Sequence, residues 1–175
     1  MANNDDSHPA DQLIHDLIAH PRAATDEEIR LITDRIATAP FNPAIQKVSI
    51  ANRRFAYQGA TPGRQTDSLT LHLIQRVMRD RQWAMGTTAM DYLRSLHAAA
   101  RSESVQIALY RQWEERDIAV IIARTRTVLG EQQLGARSET NLIVVYRADR
   151  GILVSGYQFS TMDEIAIPDD ALWLK

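Results

Sequence analysis

Four apolar, strand-like segments follow one another in the second half of the chain: VQIALYRQW (105–113), DIAVIIARTRTVL (117–129), NLIVVYRA (141–148) and ILVSGYQFST (152–161). The turns at Glu114 to Asp117 and Ala148 to Gly151 are far too short for the dozen or more residues of a parallel crossover, so these strands must run antiparallel. Helical periodicities precede them. Helices first and an antiparallel sheet afterwards predict an α+β fold, with N-terminal helices followed by a sheet that carries helices on one face. At 175 residues, 45% hydrophobic and 24% charged, the chain can build one core but not two.

The helical half divides at Pro40. After Ser7 and Pro9, the segment DQLIHDLIAH places Leu13, Ile14, Leu17 and Ile18 on one face. Thr25 and Glu28 form a capping box ahead of the apolar stripe Ile29, Ile32 and Ile36. These two helices, residues 1–40, read as an N-terminal extension, and 41–175 as a single α+β domain. Val48 and Ile50, then Phe55 and Tyr57, predict a β-hairpin around Ala51 to Arg54. Thr66 or Asp67 can cap the helix SLTLHLIQRVMRDRQW, whose core face is Leu69, Leu73 and Val77 with Ile74 and Met78 alongside. The helix AMDYLRSLHAAAR follows Gly86, with Tyr92, Leu93, Leu96 and Ala100 on its inner face. GEQQLGARSET is a long polar connection between strands, and EIAIPDDALWLK a last short strand anchored by Leu172 and Trp173.

Composition excludes several classes of function. With no cysteine there are no disulfides, thiolate nucleophiles or Cys-built zinc sites. A formal charge of -2 gives no global attraction to nucleic acid. No stretch approaches a membrane span, and MANNDDSHPADQ lacks the basic and apolar regions of a secretory signal, so a cytoplasmic protein with no membrane partner is expected. Phosphate-binding loops, nucleophile elbows and HExxH pairs are absent. His15 and His20 each follow an Asp by four residues, Asp11 and Asp16, but two ligands are too few for a metal site. The expectation is therefore no metal and no cofactor.

Two constellations could carry chemistry. His72 and Arg76, four residues apart on one helix, put a proton carrier beside a fixed cation, which is what phosphodiester chemistry needs; a histidine packed against the sheet is the plainer account. In the last strand Ser155, Tyr157, Gln158, Ser160 and Thr161 make a polar ribbon, with Gly156 leaving room for a close approach. Alternation groups Leu153, Ser155, Tyr157 and Phe159 on one face and Ile152, Val154, Gln158 and Ser160 on the other. An edge strand made polar to discourage pairing would look the same. Arg124 and Arg126 share a face and form a small basic stripe.

A His-bearing helix, a second helix, and an antiparallel sheet whose last hairpin reads VVYRADRGILVSGYQFST give residues 66–161 an order of elements that resembles the barnase, EndoU, colicin and RelE-like nuclease superfamily. The resemblance implies a metal-independent, toxin-like ribonuclease. It would place His72 at the helical acid-base position and Arg76 or Arg124 on the phosphate. Tyr157, Gln158 or Ser160 would take the terminal-strand position, with Arg126 beside Arg124 for binding and RNA as the partner. The alternatives are an inactive nuclease-like domain and a non-catalytic interaction module that binds another protein or a second copy of itself. A small-molecule sensor would instead need a closed apolar pocket.

Overall fold

The computed structural model describes residues 7–43, 47–51, 54–58, 68–113, 116–125 and 140–175. Arg126, residues 130–139 of the GEQQLGARSET connection and the expected caps Thr66 and Asp67 lie outside the described residues. The fold is α+β. Helices α1 (Pro9–Ala19) and α2 (Asp26–Thr38) lead into a hairpin, β1 (Lys47–Ala51) and β2 (Arg54–Gln58). Helix α3 (Leu69–Ile74) then continues into a π-helical turn, Gln75–Arg79, and α4 (Ala89–Ala100) follows. The main sheet is β3 (Val105–Gln112), β4 (Arg116–Thr125), β5 (Thr140–Arg147), β6 (Ile152–Phe159) and β7 (Leu172–Trp173). Its order is β6-β5-β4-β3-β7 and its pairings are all antiparallel.

Local chemistry sets the helix starts. The Thr25 and Glu28 capping box forms as the sequence predicts, and Thr88 makes a second one with Asp91 at the start of α4. At α1 the cap is His8, whose Nδ1 accepts the Ala10 amide at 3.1 Å with Pro9 in the first turn. In α3 the cap is Ser68. This helix departs from expectation, because the regular turns end at Ile74 and Arg81 then takes a positive φ of 51°. The buried face becomes Leu69, Leu71 and Leu73, while Met78 turns outward at 42% exposure. A π-turn has more residues per turn than an α-helix, so positions past Ile74 leave the predicted stripe.

Among the described residues, one face of the sheet carries the four α-helices. Ile107, Ile121, Val144 and Leu153 from the sheet share one core with Ile14, Leu17, Ile32 and Ile36 of α1 and α2 and with Tyr92 and Leu96 of α4. The first two helices, read from the sequence as an extension, thus supply central side chains to the same core as the sheet. Leu153 is on this face because of a β-bulge between Val145 and Tyr146, which breaks strict alternation in β6 and separates it from Ser155 and Tyr157. Gly156 also faces the helices, where a Cβ would lie 2.2 Å from Leu96 Cδ2.

The opposite face is also apolar, with Ala108, Ile118, Val120, Ile122, Ile143 and Phe159 all buried. Its cover follows from topology. The chain leaves β6 at one edge and reappears in β7 at the other, so residues 160–171 must cross four inter-strand gaps, a span of about 19 Å. This strap lays Ile165, Ile167 and Ala171 on the second face.

Candidate active site

The polar ribbon of β6 lies at the outer edge of the sheet, and its outward backbone groups are satisfied by other elements rather than left to water. Leu153 N–H donates to the Pro40 carbonyl at 2.8 Å. The Tyr92 hydroxyl accepts the Gly156 N–H at 2.8 Å and donates to the Gly156 carbonyl, as a neighbouring strand would. Burial pushes that phenol up to about 12, against the pull of the Arg76 charge. Two residues on, Gln82 repeats the pattern: its carbonyl accepts Gln158 N–H at 2.9 Å and its amide donates to the Gln158 carbonyl at 3.0 Å. The Gln158 side chain returns a bond to the Gln82 backbone. The edge is closed by side chains.

Arg76 belongs to this closure. Its guanidinium lies 4.9 Å from the centroid of the Tyr157 ring, and its Nε donates to the Gly156 carbonyl at 3.3 Å. Its Nη1 is held by Asp80 at 2.6 Å. Burial raises the Asp80 carboxyl, but hydrogen bonds from Arg79 and Arg76 outweigh it and hold the group below its ordinary value. Arg76, Tyr157 and Gln158 therefore do converge, at the edge of β6. His72 is half-buried between the buried Leu71 and Leu73, one turn before Arg76 on the helix that packs against this strand. Ser160 is exposed beyond the strand, its amide donating to Glu164 at 3.0 Å. Arg124 is exposed near the end of β4, with β5 between it and β6.

A different set of residues meets in an open cavity of about 420 Å³ between the start of α1 and the turns of the β3–β4 and β5–β6 hairpins. His15 Nδ1 lies 2.7 Å from Asp117 Oδ2. Arg111 Nε donates to the other carboxylate oxygen, Oδ1, at 2.8 Å. The Asp117 side chain is 7% exposed, and that of His15 is 52% exposed. The register explains the meeting: Arg111 pairs with Asp117 across β3 and β4, and both continue the helix-facing rows of their strands beyond the last apolar residues. Helix α1, fixed by Ile14 and Leu17, then brings His15 down onto them.

The pair has a defined proton arrangement. Arg111 Nη2 also approaches His15 Nδ1, at 3.4 Å, but one ring nitrogen cannot both donate to a carboxylate and accept from a guanidinium. The 2.7 Å contact is the stronger, and a carboxylate only accepts, so Nδ1 carries the proton. In the neutral ring the lone pair is then on Nε2, which makes no hydrogen bond among the described residues. A buried Asp that orients an exposed His is the support a general base requires.

Behind the cavity a second network fixes its wall. The Tyr146 hydroxyl donates to Asp11 Oδ1, while Arg35 donates through Nε to the Tyr146 oxygen at 2.8 Å and through Nη2 to Asp11 Oδ2 at 3.1 Å. Burial first, and then the Asp11 carboxylate, push the Tyr146 phenol far above its ordinary value. Arg35 Nη2 also reaches the Gly151 carbonyl, and a Cβ on Gly151 would lie 2.7 Å from that nitrogen. With φ at 64°, Gly151 is required both by its turn and by Arg35.

The spacing of the sequence sets His15 beside Asp11, four residues away, whereas its partner in the structure is Asp117, a hundred residues on. One signal is present: Asp117 directly precedes the apolar run IAVII, and a three-residue connection after the Gln112–Arg116 pair sets it opposite Arg111. Among the described residues no group of three His, Cys, Asp or Glu side chains could hold a metal ion, and no helix is long and apolar enough to cross a membrane. No family model, curated protein or solved structure matches the chain, so the site is interpreted from its own geometry.

Proposed function

We propose that this protein is a metal-independent endoribonuclease and that His15, Asp117 and Arg111 carry its acid-base chemistry. The observation that supports this most is the 2.7 Å contact from His15 Nδ1 to the buried Asp117 carboxylate, which leaves Nε2 available beside an open cavity. His15 Nε2 would take the proton of a ribose 2'-OH as that oxygen adds to the adjacent phosphorus. The bond from phosphorus to the 5'-oxygen breaks, the leaving oxygen takes a proton from water, and the proton on His15 neutralises the hydroxide, which restores the neutral ring. Arg111 would stabilise the charge gathering on the phosphoryl oxygens, because its Nη1 makes no hydrogen bond among the described residues. The choice of RNA rests on the order of elements over residues 66–161; the choice of residues rests on the cavity.

The test is incubation of chelator-treated protein with mixed RNA. His15→Ala should abolish cleavage, and Asp117→Asn should lower it by about 10²- to 10⁴-fold. His72→Ala should leave it largely intact. Loss with His72→Ala but not with His15→Ala would move the chemistry to the β6 edge, and an inactive wild type would end the proposal.

The alternative of a non-catalytic interaction module is favoured by one feature. A groove of about 460 Å³ is lined by Val77, Met78, Arg81, Trp83 and Met85, with Met85 73% exposed. Methionines adapt to varied apolar partners. That reading gains if the wild type fails to cleave and Met85→Glu abolishes a protein contact that wild type makes.

A further inference from the structure

At the tip of the β3–β4 hairpin, Trp113 is 69% exposed and has a φ of 51°. Single exposed aromatics are ordinary, and exposure by itself means little. The backbone is another matter, because a left-handed conformation is strained for a bulky residue and this turn position would suit Gly or Asn without cost. The geometry is nonetheless held by Arg116, whose guanidinium stacks 4.5 Å from the indole centroid and steadies the ring. Trp113 also follows the Arg111–Asp117 pair by two residues, about 7 Å along the strand. A strained, stacked and mostly solvated indole thus stands two residues beyond Arg111, which lines the His15 cavity.

Resting on the ribonuclease reading above, we infer that Trp113, backed by Arg116, is a stacking platform for an unpaired base next to the phosphate held at His15, and that the substrate is single-stranded RNA. An indole accepts any base face, but only a base freed from a duplex stack can reach it. Trp173, 41% exposed, lies on the edge strand β7 paired with β3, and no arginine stacks on it among the described residues.

The test separates binding from cleavage. A fluorescein-labelled oligoribonucleotide of mixed sequence, 2'-O-methylated throughout so that it cannot be cut, is titrated as a single strand and as a duplex. Wild type, Trp113→Ala, Trp113→Phe and His15→Ala are compared by anisotropy. Trp113→Ala should weaken single-strand binding about tenfold, Trp113→Phe should recover most of it, and duplex binding should not respond to either change. Unmodified RNA should then show KM raised and kcat kept in Trp113→Ala, with KM near the wild-type value in Trp113→Phe. Single-strand affinity in Trp113→Ala within about twofold of wild type overturns the platform, as does wild type binding neither form. Weakened binding in Trp113→Ala together with undiminished cleavage by His15→Ala would keep the platform and overturn the catalytic assignment instead.

Discussion

Replacing Gly156 by alanine adds one methyl group, and the structure shows where it would collide. The new Cβ would stand 2.2 Å from Leu96 Cδ2 and 3.1 Å from the Ile143 carbonyl oxygen, with ordinary contact beginning at 3.4 Å. The gap to Leu96 is thus about 1.2 Å too small. Leu96 is fully buried in α4 among the largest core side chains, while the Ile143 carbonyl belongs to the paired strand β5. Relief requires β6 to move from α4, which would stretch the Tyr92 and Arg76 hydrogen bonds to the Gly156 carbonyl. Overpacking of this kind costs about 1–3 kcal/mol. For a chain of this length, each kcal/mol lowers Tm by roughly 2–4 °C. Urea unfolding of wild type, Gly156→Ala, Leu96→Ala and the double variant forms a thermodynamic cycle. Leu96→Ala alone should cost about 2–5 kcal/mol, since it leaves a cavity. The double variant should be at least about 1 kcal/mol more stable than the two costs together imply, because the cavity accepts the methyl group. Strict additivity would refute the assignment of Leu96 as the obstacle.

Tyr146→Phe removes a buried hydroxyl shared by Asp11 and Arg35, and should lower unfolding stability by about 1–3 kcal/mol; an unchanged urea midpoint would show that the network adds nothing. Gln82→Ala opens the Gln158 backbone at the edge of β6, and should cost about 1 kcal/mol and produce concentration-dependent association on size exclusion, whereas a monodisperse variant would mean the edge is guarded by other groups. Burial, with the nearby Arg101, lowers the His97 pKa below its ordinary 6.5 even though Nε2 donates to the Ala39 carbonyl. The unfolded chain therefore takes up this proton first, so the contribution to stability is complete above pH 6.5 and is lost as pH falls through the folded value. His97→Gln should flatten the slope of unfolding free energy below that pH, and an unaltered slope would assign the acid sensitivity elsewhere.

The elements of the fold were legible because each carries a local signal. Thr25 with Glu28 and the stripe Ile32 and Ile36 marked α2, and short turns fixed three antiparallel pairings. What escaped was whatever depends on distant neighbours. Nothing around Val154 announces a bulge, so Leu153 was assigned to the face of Ser155. Nothing in RVMRDRQW announces that Gln82 will act as a substitute strand, since its partner Gln158 is known only once β6 is at the edge. Arg76, Tyr157 and Gln158 meet at the edge of β6, where their polarity is accounted for by closing that edge. The His15 and Asp117 pair joins the first helix to a strand begun a hundred residues later, and periodicity cannot see such a meeting.

The strap over the second face also has a consequence for how the protein is made. A chain emerging from the ribosome completes β3 to β6 before residues 160–171 are available, and until then Ile118, Val120, Ile122 and Ile143 remain exposed on one side of a finished sheet. The nascent sheet is thus a sticky intermediate, sealed only when the strap crosses and Leu172 and Trp173 lock onto the far edge. Substitutions in the strap should therefore reduce the yield of folded protein more than they reduce the stability of the molecules that succeed in folding.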